Sequence, residues 1–311
     1  MLRLGLRIAL ALALVAACIG AWRYTPDIAA DQLEARYATP PSRFIEIDGA
    51  RLHVRDQGPR EASALLLVHG LGGNLFVWDE WVAALAPHHR VVTFDLPGHG
   101  LTGPWPNGGY SIERSAELVG RLASTLGLER FAIGGHSMGG MVAWWAAAGP
   151  LRQRITALIL VDASGYPRNG PLPFGLQIAR APLLGEVAAF LRTRDDIARG
   201  LLQSFARPRA DAAIVQRHVD LALRNGNRQA LLQRLRSFVP PEPAAIRAVA
   251  VPTLIIWGNE DPVLATADAE HYTRDIDGSR LLLYNSAGHY PMMERPAESA
   301  RDVLKFLAAL P

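Results

Sequence analysis

The sequence predicts an α/β protein: a mostly parallel eight-stranded sheet, helices on both faces and an inserted helical cap. Three observations carry that reading. Short, predominantly apolar runs such as Ala64–Val68 and Ile155–Val161 alternate with helical stretches, the pattern of strands covered on both faces and joined by right-handed crossovers. His69, Asp95, Ser137 and Asp162 stand where such runs end, and parallel sheets build their sites at those ends. From Ser164 to Pro243 strand signals vanish and prolines crowd both flanks, which marks residues 164–243 as the cap.

The chain opens with a separate device. Arg3 and Arg7 precede an apolar run from Ile8 to Trp22, and Trp22-Arg23-Tyr24 closes it. The basic front and aromatic exit predict an uncleaved signal anchor over residues 1–24, a single pass through a bacterial inner membrane with the body on the periplasmic side. A cleaved signal peptide fits the run length, and Val15-Ala16-Ala17-Cys18 resembles a lipobox; both would also export the body, secreted or as a lipoprotein. A buried core helix is the plain alternative. Thr25-Pro26-Asp27 reads as a helix start, and residues 25–42 as a connector ending at Pro40-Pro41.

The body follows as residues 43–163 and 244–311. Arg43–Arg55 alternates apolar and polar residues about Asp48-Gly49, a hairpin. Ala64–Val68 and Arg90–Phe94 read as buried strands, with a helix over Val77–Leu85 between them. Ser111–Leu126 is an amphipathic helix with Ser111 as N-cap and Gly127 past its end. Phe131 and Ile155 open the next two strands. In the cap, helical stretches cover Phe174–Leu191, Asp195–Phe205, Ala210–Arg224 and Arg228–Phe238, with twelve arginines against six acidic residues. Val251–Trp257 and Arg280–Tyr284 complete the sheet, a helix lies between Thr266 and Tyr272, and Pro296–Leu310 closes the chain.

Composition narrows the function. Half of the 311 residues are apolar, enough for a large core, and a net charge of +3 makes no case for nucleic acid. The lone cysteine, Cys18, excludes a disulfide within the chain and a zinc cluster of the cysteine type; the histidines lack ligand spacing, so no metal or cofactor is expected.

The chemistry centres on Gly135-His136-Ser137-Met138-Gly139. A strand runs into it and an Ala- and Trp-rich helix leaves it, so the serine sits on an abrupt turn that needs small flanking residues. Acyl transfer also needs a base, an acid to orient it, and oxyanion donors. Asp261 and His289 lie in loops after later strands of the same sheet. With His69-Gly70, Asp95-x-Pro-Gly-His-Gly and Gly-Asn-Glu-Asp261-Pro, the chain resembles an α/β-hydrolase of the branch that holds esterases, lactonases and meta-cleavage-product hydrolases, over about Phe44–Leu310. The resemblance implies Ser137 as nucleophile, His289 as base then acid, Asp261 as the orienting acid, and the backbone N–H groups of Leu71 and Met138 as oxyanion hole. Asp162 is the rival for the acid. His69 then shapes the loop that aims the Leu71 amide.

The expected substrate is a small apolar ester or lactone, met outside the cytoplasm. Hydrolysis of a C–C bond in a dienoic ketoacid by the same triad is a second reading, with a cap arginine on the substrate carboxylate. A non-catalytic ligand-binding protein is the third.

Overall fold

Strands β1 (Ser42–Ile47) and β2 (Ala50–Gln57) form an antiparallel hairpin. Its Asp48-Gly49 turn has φ of 55° and 75°, the left-handed pair whose twist matches a hairpin. Then come β3 (Ala64–Val68), β4 (Arg90–Phe94), β5 (Phe131–His136), β6 (Ile155–Val161), β7 (Thr253–Gly258) and β8 (Arg280–Tyr284). The sheet order is β1-β2-β4-β3-β5-β6-β7-β8; β2 is antiparallel to both neighbours and all other pairs are parallel. This computed structural model describes residues 7, 10, 11, 14, 18, 20–167, 170, 171, 174–207 and 210–310. The anchor expected over residues 1–24 falls largely outside them, and among the described residues no helix is long and apolar enough to cross a membrane.

Both faces of the sheet are covered, as the unbroken apolar runs demand. Along β3, Leu66 and Val68 join one core cluster while Leu65 and Leu67 join the other. Helices α1 (Ala30–Tyr37), α2 (Asp79–Leu85), α3 (Ile112–Thr125) and α4 (Met138–Ala148) precede the cap. Helices α3 and α4 bury Leu118, Val119, Val142 and Trp144 on the first face; α2 buries Trp81 and Val82 on the second. Ser111 caps α3 by accepting the Arg114 N–H at 3.1 Å, and Gly127, at φ 68°, follows its end. Helix α2 is entered through a 3-10 turn, Leu75–Trp78, capped by Asn74.

Between β6 and β7 lie α5 (Phe174–Arg180), α6 (Leu184–Leu191), α7 (Arg194–Leu202), α8 (Ala212–Ala222) and α9 (Asn227–Ser237). The single helix expected over Phe174–Leu191 is two. Pro182 has no N–H to donate and Leu183 adopts φ 63°, so the helix breaks there. The helix expected from Thr25 begins only at Ala30. Residues 25–28 are instead laid along the cap: Thr25 N–H donates to Phe190 O at 3.0 Å, Ile28 N–H to Leu223 O at 2.8 Å, and Asp27 pairs with Arg228. The chain closes with α10 (Ala267–Asp275), α11 (Pro291–Glu294) and α12 (Pro296–Ala308).

Candidate active site

Ser137 joins β5 to α4 at φ 52° and ψ −121°, a strained conformation for a residue with a Cβ. Its N–H donates to Val161 O and its carbonyl accepts from Ser164 N–H, both at 3.0 Å, so β6 clamps the turn. The glycines on either side are forced by contact. A Cβ on Gly135 would overlap the Gly139 carbonyl, and one on Gly139 would overlap the Val68 carbonyl. Ser137 alone in this stretch is partly open; Gly134, Gly135, His136 and Met138 are buried.

The predicted partners converge in geometry. His289 Nδ1 lies 2.8 Å from Asp261 Oδ2, and the Asp261 side chain is fully buried. Asp261 Oδ1 accepts N–H bonds from Val263 at 2.6 Å and Leu264 at 3.1 Å, which fixes the carboxylate plane. Among the described residues the Ser137 hydroxyl makes no hydrogen bond. Nor are the amides of Leu71 and Met138 spent in a turn, loop or cap bond, so both are free donors. The Leu71 loop is set by His69. Leu96 N–H donates to His69 Nε2 at 3.0 Å, so Nδ1 carries the proton and donates to Gly70 O at 2.8 Å. Burial lowers the His69 pKa further and keeps the ring neutral.

Asp162, the rival acid, is fully buried at φ 40°. Its Oδ1 accepts the Gly258 N–H at 2.9 Å, while Oδ2 is buried without a hydrogen-bond partner among the described residues. Burial, and then the charge of Asp261, push its carboxyl well above the usual range, toward the protonated form. One side-chain atom each of Asp162, Asp261 and His289 lies within 4.8 Å of the others, a spacing that would suit a cation. Those of Asp261 and His289 are already joined to each other and burial favours the neutral form of Asp162, so the set offers a cation little free charge.

Sequence reasoning missed three groups that hold His289. His136 Nε2 donates to the His289 carbonyl at 2.7 Å; burial, then His289, depress its pKa and leave it neutral. The Ser204 carbonyl, from the end of α7, accepts the His289 N–H at 2.8 Å. Glu294 Oε1 accepts the N–H groups of Gly288 and Tyr290 at 2.9 and 3.1 Å, and its Oε2 that of Ala206 at 2.8 Å. Only Glu294 left a trace, an acid five residues beyond the histidine in a proline-led turn.

A cavity of about 760 Å³ lies under the cap. It reaches the site at Leu71, Gly72 and Tyr290, and Leu176, Leu221, Leu231 and Leu235 make its remoter wall apolar.

A protein-family model described as alpha/beta hydrolase fold matches residues 63–296. An uncharacterised protein of Mycobacterium bovis is 30% identical over 87% of this chain and 82% of its own. A monoacylglycerol lipase of Xenopus laevis is 28% identical over 81% of this chain and 77% of its own. The solved structure of a bacterial membrane phospholipase A, 25% identical, superposes with a TM-score of 0.74 over 100% of this chain and 99% of its own.

Proposed function

Since this chain belongs to the alpha/beta hydrolase fold family, and its relatives support hydrolase activity, we propose that it is a serine hydrolase of lipid-like carboxylic esters. Ser137 Oγ attacks the ester carbonyl as His289 takes its proton; the tetrahedral oxyanion sits against the Leu71 and Met138 amides. Collapse expels the alcohol with that proton, and water, activated by His289, releases the acid. Asp261 holds the imidazole in the tautomer that leaves Nε2 free. The Ser137–His289 bond closes when substrate is bound. The observation that most supports this reading is the 2.8 Å His289–Asp261 bond facing the strained Ser137 turn. The leucine-walled cavity, and the lipid esters named for the two enzymes above, favour an acyl chain over a small polar acid.

The body meets its substrate at a membrane, held by the N-terminal span on the periplasmic side. Supporting this, Trp22, Phe174, Leu183, Leu184 and Val187 are all more than half exposed, and Tyr24 stacks on Phe190 of α6 at 6.1 Å. The decisive experiment is a panel of p-nitrophenyl esters with Ser137→Ala as control. Full esterase activity in that variant, or a fluorophosphonate probe that labels another residue, refutes the proposal.

A further inference from the structure

The cavity holds an unbalanced cation. Its described lining contains Arg192, Arg228, His99 and His218 and no acidic residue. Arg228 is neutralised: its Nε and Nη2 donate to Asp27 Oδ1 at 2.9 and 2.6 Å, and Nη1 to the Ala189 carbonyl at 3.0 Å. His99 is buried, its Nδ1 on the Pro97 carbonyl and its ring on His69 at 5.0 Å. Arg192 differs. It follows α6 directly and is exposed, and among the described residues its guanidinium makes no hydrogen bond or ion pair. Asp196, the carboxylate that acts on it at longer range, is already taken by Arg23, Arg199 and the Thr193 N–H. A Cβ on Gly200 would come 3.4 Å from Arg192 Nη2, so the guanidinium lies along the α7 face of the cavity. His218 stands in the same wall; burial, then the charge of Arg192, push its pKa down to about 4, so it is a neutral imidazole.

A guanidinium facing a largely apolar cavity gains from an anion there, and its fork matches phosphate or carboxylate oxygens. In the proposed reaction the acyl carbonyl is at Ser137, so a second anion belongs to the alcohol half of the ester. We propose that Arg192 and His218 form an oxyanion subsite for the phosphate of an acyl phosphoglycerol. The assignment rests on the serine-hydrolase reading and separates a charged glycerolipid from a neutral one.

Two esters that differ only in the phosphate test it, 1-octanoyl lysophosphatidate and 1-octanoylglycerol, with the full-length protein. The ratio of their kcat/KM values falls about 10- to 100-fold in Arg192→Gln, the loss of one charge-assisted contact, and less in Arg192→Lys. Binding is read separately by calorimetry on Ser137→Ala. There octyl phosphate binds, the added Arg192→Gln weakens it by a similar factor, and octanoate and inorganic phosphate bind more weakly. An unchanged ratio with unchanged octyl phosphate affinity overturns the subsite. Inorganic phosphate that binds as tightly as octyl phosphate makes it a site for the free ion. Octanoate equally tight and equally dependent on Arg192 makes it a carboxylate site. If neither ester turns over while octyl phosphate still binds through Arg192, the hydrolase reading falls and the subsite stands.

Discussion

Asp261→Asn is the sharpest test of how the site works, because hydrogen bonds already in place dictate how the new amide must lie. Asp261 Oδ1 accepts two backbone N–H groups, from Val263 and Leu264. If the substituted side chain turned its NH2 toward them, two backbone hydrogen bonds would be lost and three donors would face one another, at roughly 0.5–1.5 kcal/mol per lost bond. Turning the NH2 toward His289 sacrifices one bond instead, so that orientation wins. Two donors cannot then face each other across the 2.8 Å gap to Nδ1. The imidazole must put its proton on Nε2, where it can no longer accept the Ser137 proton. The expected loss in kcat is about 10⁴-fold, or about 5 kcal/mol of barrier, with KM little changed. Asp162→Asn is the paired control. Asn keeps the acceptor for Gly258 N–H, carries no charge where burial favours the neutral carboxyl, and tolerates positive φ, so its kcat falls by less than about tenfold. Steady-state kinetics on an ester, with melting curves to confirm folding, reads both variants. The reverse pattern, a mild Asp261→Asn and a crippled Asp162→Asn, would sink the argument and give the acid role to Asp162.

Other consequences follow from single contacts. In Gly135→Ala the new Cβ would sit 2.6 Å from Gly140 N and nearer still to the Gly139 carbonyl, so the turn must move; stability drops by about 1–3 kcal/mol and kcat by at least about 100-fold, and a variant with wild-type melting and turnover contradicts the close-approach argument. Glu294→Ala leaves the Gly288, Tyr290 and Ala206 N–H groups without their acceptor; a loss of about 2 kcal/mol or more in urea unfolding is expected, with kcat reduced as the His289 loop loosens. His218 has a folded-state pKa of about 4 against roughly 6.5 unfolded, so the unfolded chain binds its proton first; the stability this neutral ring contributes is complete above pH 6.5 and is lost as pH falls toward 4. His218→Gln should therefore flatten the fall in melting temperature between pH 7 and pH 5, and an unaltered slope would show that another group carries it.

The sheet was legible because its inner strands are buried along their whole length. Every residue of β3, β4, β5 and β7 is buried, so each reads as an apolar run bounded by turns. The geometry at Ser137, Asp261 and His289 was legible for a related reason: each stands just past a strand, beside glycines or a proline that mark a sharp turn. Contacts that join distant elements left no periodic signal. Glu294 reaches Ala206 across 88 positions, and residues 25–28 abandon a local helix for bonds to Phe190 and Leu223. The broken cap helix was a different kind of miss, since Pro182 was visible and its missing N–H predicts the break. Telling Asp162 from Asp261 needed what no sequence pattern carries: which carboxyl receives two amides and meets the His289 ring, and which receives one amide.

A second Ser–His–Asp chain in the same molecule shows which part of the site is informative. His53 lies fully buried with Nδ1 2.8 Å from Asp95 Oδ2 and Nε2 2.8 Å from Ser42 Oγ. By residue type and spacing it is as complete a relay as that of His289, and its serine is actually in contact. Yet Asp95 is also the acceptor for the N–H groups of Leu75 and Leu101, at 2.7 and 2.8 Å, so it ties the loops after β3 and β4 together. Ser42 opens β1 without the positive φ of Ser137, and its partner His53 is fully buried. A hydrogen-bonded relay can thus serve purely to fasten strands. A nucleophile needs, in addition, a hydroxyl lifted by a strained turn and donors waiting for the charge that develops on its target. That is why the glycines around Ser137 say more about chemistry than the presence of a serine, a histidine and an aspartate.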